Sequence, residues 1–133
     1  MKVGIFGVVS PRNVAPGEIA IEVERRGFEA FYNGEHYHLP TATPTPDFYK
    51  EIPDFYKYVP DPLQVFSLMA GVTTKLKFGT TILIVPIHDP MMLATRIATL
   101  DYLSNGRCII GMGVGWNQEE LANHGVEFAT RQE

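Results

Sequence analysis

Two stretches of this chain combine residue types that could do chemistry. The first is Glu35-His36-Tyr37-His38. Histidine titrates near neutrality and can give or take a proton beside a redox centre, and a neighbouring carboxylate such as Glu35 could orient the imidazole or bind a donor on a cofactor. Two histidines two residues apart beside a carboxylate could also ligate a metal, but neither His88 nor His124 stands at a standard third-ligand spacing, so no metal site is expected. A surface pair with no chemical role is the plain alternative. The second stretch runs from Gly106 to Asn117, G-R-C-I-I-G-M-G-V-G-W-N. In Gly113-Val114-Gly115 the missing side chains let something flat or charged approach the backbone. Asn117 with Glu120 three residues on reads as a helix N-cap paired with a carboxylate. A structural turn with no ligand would use the same glycines, since short glycine patterns are weak on their own.

Both stretches need a scaffold, and the order of elements supplies one. Lys2 to Val9 reads as a buried strand, Pro16 opens a helix carrying Ile19, Ala20, Val23 and the stem of Arg26 inward, and Gly27 stops it. Phe28 to Asn33 is a second strand. Asp61-Pro62 begins a helix with an apolar stripe at Val65, Leu68, Met69 and Val72, and Lys75 and Lys77 sit near its end, where cations suit the dipole. Phe78 to Val85 is a third strand. Asp89-Pro90 starts a helix with Leu93, Ile97 and Leu100 inward, and Ser104-Asn105-Gly106 turns into a fourth strand at Arg107 to Met112, expected to be buried on both faces. Strands alternating with helices predict an α/β fold with a parallel sheet. Its strand ends then gather residues 7–10, 33–38, 83–86 and 111–115 on one side, where ligands of such folds bind.

Residues 36–61 interrupt this rhythm. They carry five of the prolines, at positions 40, 44, 46, 53 and 60, and a small tandem in which Pro46-Asp47-Phe48-Tyr49-Lys50 returns as Pro53-Asp54-Phe55-Tyr56-Lys57. A loop of this length in a compact domain is functional or disordered, and its aromatic rings favour a lid packed over a pocket.

The 133 residues have a net charge of −4, 45% hydrophobic and 20% charged residues, which fits a globular protein with no nucleic-acid footprint. No apolar run reaches the ~18 residues of a membrane span. Cys108, the single cysteine, reads as a buried thiol filling the core. These features point to a cytoplasmic protein. Four β/α units are half of the eight in a complete barrel, each consuming about an eighth of its length, and the pattern stops without a closing strand. Residues 1–133 are therefore read as a single partial (β/α)8-barrel domain with a Pro-rich loop at 36–61. Its open sheet edges invite either further residues or a second copy, so a homo-oligomer is expected.

Several separated motifs carry a family resemblance. Glu35-His36-Tyr37-His38-Leu39-Pro40, the run from Ala98 to Arg107 (A-T-L-D-Y-L-S-N-G-R), the run from Gly113 to Leu121 and Gly125-Val126-Glu127-Phe128-Ala129-Thr130-Arg131 resemble the bacterial-luciferase-like superfamily. Within it they are most similar to the branch that uses the deazaflavin coenzyme F420. The likeness runs over almost the whole chain but only the N-terminal half of a typical member. It implies half of a luciferase-like TIM barrel, with hydride passing between coenzyme F420, or alternatively FMN, and a small organic substrate. It further implies that His36 is the active-site histidine and Glu35 a coenzyme neighbour. Thr81-Ile82 matches the site of a cis peptide beneath the ring, and Gly113, Val114 and Gly115 match backbone lining it. Trp116 is either a wall of that pocket or a residue packed at the helix start. An FMN-dependent monooxygenase is the alternative activity, and a non-catalytic oligomerising scaffold the alternative of another kind. Phosphate groups in TIM barrels commonly dock after the last two strands, which these residues do not include, and Glu119 and Glu120 at the last helix start disfavour an anion.

Overall fold

The computed structural model describes residues 1–12, 14–41, 43–44, 46 and 51–132. Four short strands carry the fold: β1 (Gly4–Phe6), β2 (Ala30–Asn33), β3 (Lys77–Ile84) and β4 (Cys108–Gly113). They form one parallel sheet in the order β1-β2-β3-β4, with Phe6 opposite Tyr32, Tyr32 opposite Gly79 and Gly79 opposite Ile109. Parallel neighbours need a crossover, and α1 (Pro16–Arg25), α2 (Pro62–Gly71) and α3 (Pro90–Ser104) provide the three. A fourth helix, α4 (Gln118–Asn123), follows β4.

The helix ends follow the local chemistry. Pro16, Pro62 and Pro90 each open a helix, where a missing N–H costs nothing. Asp61 accepts hydrogen bonds from the N–H groups of Leu63 and Gln64, and Asp89 from that of Met92. Gly27, at φ +79°, and Asn105, at φ +56°, take the left-handed conformations that stop α1 and α3.

The core lies between these helices and one face of the sheet. Ala20 and Val23 of α1, Leu63, Val65, Phe66 and Met69 of α2, and Leu93 and Leu100 of α3 pack on Phe31, Phe78 and Leu83. Cys108 and Ile110 pack against the same cluster, and burial, reinforced by the nearby charge of Asp101, pushes the Cys108 thiol up to about 11. On the other face Tyr32 lies flat across its neighbours. A Cβ at Gly79 would fall 2.2 Å from its ring and one at Gly4 2.6 Å, so both positions must be glycine.

Several sequence expectations are corrected by this arrangement. β1 is three residues long and exposed throughout, not a buried strand over Lys2 to Val9. β4 is not buried on both faces: Ile109 and Met112 stay exposed while Cys108 and Ile110 face the core, because helices cover only one side. The buried stripe of α2 is shifted, since Leu68 and Val72 are exposed and Leu63, Phe66 and Ala70 are inside. Its hydrophobicity on every side hid the true face. Arg26 pairs with Glu22 at the surface and gives no stem to the core. Lys77 belongs to β3, where it pairs with Glu29, so it does not cap α2. The first copy of the small tandem lies largely outside the described residues. The second forms a 3₁₀ turn at Asp54–Tyr58.

Candidate active site

The four strand ends meet in a cleft of about 240 Å³. Its apolar walls come from Phe6 at the end of β1 and Val8 beyond it, Phe55, Tyr56 and Val59 of the long loop, and Trp116. Its polar side is the segment Asn33, Gly34, Glu35 and His36, facing Thr81 and Ile82 of β3. The Thr81–Ile82 peptide is cis, as the family resemblance led us to expect. The register of β3 against β4 slips at the same place, between Thr80 and Leu83. A Cβ at Gly34 would sit 3.1 Å from the Thr81 carbonyl oxygen, so the two segments lie against each other.

His36 is fixed from the far side of the cleft. Its Nδ1 lies 2.7 Å from Oε2 of Glu120, and the backbone N–H of Tyr37 donates to Oε1 of the same carboxylate at 2.9 Å. Glu120 is 1% exposed, so this is a buried carboxylate whose lone pairs are met by two donors when His36 carries its proton on Nδ1. The His36 ring contacts Tyr56 edge-on at 4.9 Å between centroids and Trp116 at 5.6 Å. Trp116 is thus a wall of the cleft.

Glu35 points elsewhere. Its Oε2 accepts from the Ile84 N–H at 2.7 Å, and Nε2 of His88 lies 3.0 Å from that oxygen and 3.1 Å from Oε1. The orienting carboxylate of His36 is Glu120, not its sequence neighbour. This corrects the first reading, and the reason is geometric: adjacent side chains leaving a strand point to opposite sides. Glu120 was legible only as a capping residue. In the structure Asn117 Oδ1 does accept from the Glu120 N–H at 3.0 Å, but the Glu120 side chain leaves the helix end to reach His36.

Of the other sequence candidates, Thr81, Ile82 and Gly115 line the cleft with Glu35 and His36, whereas Gly113 and Val114 do not. What approaches Gly113 is Ile82: a Cβ there would lie 2.9 Å from its Cδ1. Gly115, at φ +76°, similarly faces Ile84 at 2.9 Å. The glycines admit protein side chains first. The described second half of the loop borders the cleft through Phe55, Tyr56 and Val59, and Arg12 ties it down, donating to Asp54 at 2.6 Å and lying over the Tyr58 ring at 4.0 Å.

The lining suits a flat aromatic ring. Aromatic and aliphatic walls converge on a polar edge, and the buried carboxamide of Asn33 beside the cleft has no partner for its nitrogen or its oxygen. The lining does not suit a phosphate, because no Lys or Arg occurs in it among the described residues. Nor do the described residues hold a group of three His, Cys, Asp or Glu placed to bind a metal ion. No described helix is long and apolar enough to cross a membrane.

Comparison with known proteins bears on the fold and the family. An uncharacterized protein of Mycobacterium tuberculosis is 38% identical over 99% of this chain, which covers 48% of that protein. The chain therefore spans about half the length of the curated relatives it matches. Among solved structures, the coenzyme F420 dependent tetrahydromethanopterin reductase of Methanopyrus kandleri is 29% identical with a TM-score of 0.65, covering 96% of this chain and 30% of that one. The oxygenating constituent of 3,6-diketocamphane monooxygenase from Pseudomonas putida, solved with FMN, shares the fold at a TM-score of 0.74 and 21% identity, over 98% of this chain and 34% of its own. The parallel sheet with its flanking helices is the fold found in luciferase-like TIM-barrel enzymes. A family model described as luciferase-like monooxygenase matches residues 10–133, and the chain belongs to that family.

Proposed function

We propose that this chain forms one side of the active site of an oxidoreductase that passes hydride between coenzyme F420 and a small organic substrate. The observation that carries the reading is His36, held by the buried Glu120 at a cleft that Thr81, Ile82 and Gly115 share. When bound, the deazaflavin ring supplies the hydride donor or acceptor. With Nδ1 of His36 engaged by Glu120, Nε2 is the nitrogen that gives or takes the accompanying proton. Glu120 keeps the imidazole in that tautomer and at that angle. Ile82 and the Gly115 backbone position the ring, Trp116 and Tyr56 exclude water from its edge, and the Asn33 carboxamide offers a donor and an acceptor beside it. Gly113 supports this floor from behind through Ile82 rather than by touch.

Identity to the F420-dependent reductase over nearly the whole chain favours the deazaflavin. FMN with oxygen as co-substrate, giving a monooxygenase, is the second reading, favoured by the family description and by the FMN-bound structural neighbour. No Lys or Arg lines the cleft among the described residues, so a cation for a phosphate group would come from outside this lining, from a longer chain or from a second copy docked along the outer edges of β1 and β4.

The test is a pair of spectral titrations, F420 and FMN, into the 133-residue chain and into a form of the length of its relatives. The expected result is perturbation of the deazaflavin band by the longer form, with His36→Ala abolishing turnover while leaving that binding perturbation in place. Binding of FMN alone would move the assignment to the monooxygenase, and binding of neither would end the enzymatic reading. Sedimentation of the 133-residue chain decides the self-pairing: a monodisperse monomer rules it out.

A further inference from the structure

The second buried carboxylate–histidine pair is not used by the reaction above. Glu35 and His88 are both almost wholly buried, with side chains 1% and 4% exposed. Nε2 of His88 lies within 3.1 Å of both Glu35 oxygens, and the Ile84 N–H also donates to that carboxylate. An ionised carboxylate only accepts, so Nε2 carries the proton, and in neutral His88 Nδ1 is left as an acceptor. The hydroxyl of Tyr37 lies 3.3 Å from that Nδ1. Tyr37 is 40% exposed, and its hydroxyl also accepts from Arg96 at 3.2 Å. A line of hydrogen-bonding atoms therefore runs from solvent, through the Tyr37 hydroxyl and both nitrogens of His88, to a carboxylate lining the cleft.

We infer that Tyr37 and His88 form a proton relay that connects Glu35, at the cleft, with bulk water. The inference rests on the reading of the cleft as a hydride-transfer site, where each turnover moves a proton as well. The step balances without any co-reactant. A proton from water forms a new O–H bond on Tyr37 while the old O–H bond breaks toward Nδ1 of His88. The Nε2–H bond breaks as Glu35 gains O–H. Tyr37 and His88 each end with the number of protons they began with, and Glu35 holds the one that entered. A proton leaving by the same atoms runs the sequence backwards and restores the tautomer.

The surroundings favour this direction of entry. Arg96 donates to the Tyr37 oxygen, which aims the hydroxyl proton away from the guanidinium and toward His88, and Arg96 is itself held by an ion pair to Asp61. His124 also neighbours Tyr37, with its ring centroid 5.6 Å away and tilted against the phenol. The Tyr37 N–H is spent on Glu120, so the residue serves both buried pairs, one with its backbone and one with its hydroxyl.

The test uses nitrogen-resolved NMR of the histidine side chains in the ¹⁵N-labelled 133-residue chain, with no cofactor added. The relay requires neutral His88 to be protonated on Nε2. It also requires that Tyr37→Phe slow exchange of that proton with water by about a hundredfold, the order a positioned proton donor contributes. Backbone amide exchange in β3 should not change. A His88 that merely buttresses Glu35 would exchange at the same rate or faster once the hydroxyl is removed, and that result overturns the inference. A neutral His88 protonated on Nδ1 overturns it in the unmutated protein. Failure of the cofactor titrations would leave these measurements standing, whereas cofactor binding with unaltered exchange in Tyr37→Phe would sink the relay alone.

Discussion

Both ends of the sheet hold charged groups in place, and they use them differently. At the end where the strands begin, Arg107 donates to the carbonyls of Ser104 at 2.6 Å, Leu76 at 3.0 Å and Ala70 at 2.9 Å, and to the Thr73 hydroxyl at 2.9 Å. Facing it, Glu24 accepts from the backbone N–H groups of Thr74, Lys75 and Leu76. Every partner is main chain or a hydroxyl tied to main chain, so the charges staple the turn between α2 and β3. At the opposite end Glu35, His36, His88 and Glu120 bond chiefly to one another, and one side of the group borders an open cleft. Charges matched to backbone dipoles have no titratable partner with which to exchange a proton. Charges matched to histidines do. The contrast supports the strand-exit end as the proposed site of chemistry without reference to any relative, in line with the general behaviour of β/α barrels.

The largest expected effect falls at the stapled end. Arg107→Met leaves several buried carbonyls without donors and should cost roughly 3 kcal/mol in chemical denaturation, while the folded fraction keeps its cofactor affinity. If affinity falls with stability, the two ends are not separable. Glu120→Ala comes next: His36 and the Tyr37 N–H lose their acceptor, for about 2 kcal/mol of stability, and proton transfer in the loaded enzyme should slow by about a hundredfold. Glu120→Gln, which can still accept from the Tyr37 N–H, should recover stability more than turnover. Gly115→Ala is smaller, about 1–2 kcal/mol, from a side chain forced onto a positive φ and against Ile84. Its effect on ring binding should exceed that of Gly113→Ala, because only Gly115 lines the cleft.

The smallest effect is a pH dependence. Burial alone would raise the Glu24 carboxyl, but the N–H groups of Lys75, Leu76 and Thr74, with help from Arg107, outweigh it and hold it below its ordinary 4.5. A carboxyl lowered on folding stabilises the protein above that ordinary value and loses the contribution as pH falls below it. Stability measured across that acid range should decline more shallowly in Glu24→Gln than in the parent chain.

The sequence made the scaffold legible where one local rule acts alone. The prolines at helix starts, Gly27, Asn105 and the β-branched run of β3 each announce their own conformation. His36 stood out as a titratable residue at a polar strand end, and Thr81-Ile82 through the family resemblance, and both reach the cleft. What stayed hidden depends on distance in space. His88 lies 53 residues from Glu35, and Glu120 lies 84 from His36, so no spacing rule links them. Glu120 was also masked by a sound local explanation, since a carboxylate at that helix position has a capping role to play. The exposure of β1 and β4 was missed for a related reason: periodicity tells which residues are apolar, not how many layers cover them.

Consecutive residues 35, 36 and 37 are fastened to opposite flanks, to Ile84 and His88 on one side and to Glu120 on the other. A segment braced from left and right cannot swing toward a ligand without breaking both braces together. Adaptation to different substrates must then be delegated to the strap over the opening, which Arg12, a hydrogen bond from Asn117 to Thr43 and a few ring contacts fasten. In this architecture the reacting groups stay still, and selectivity can drift in the strap without disturbing them.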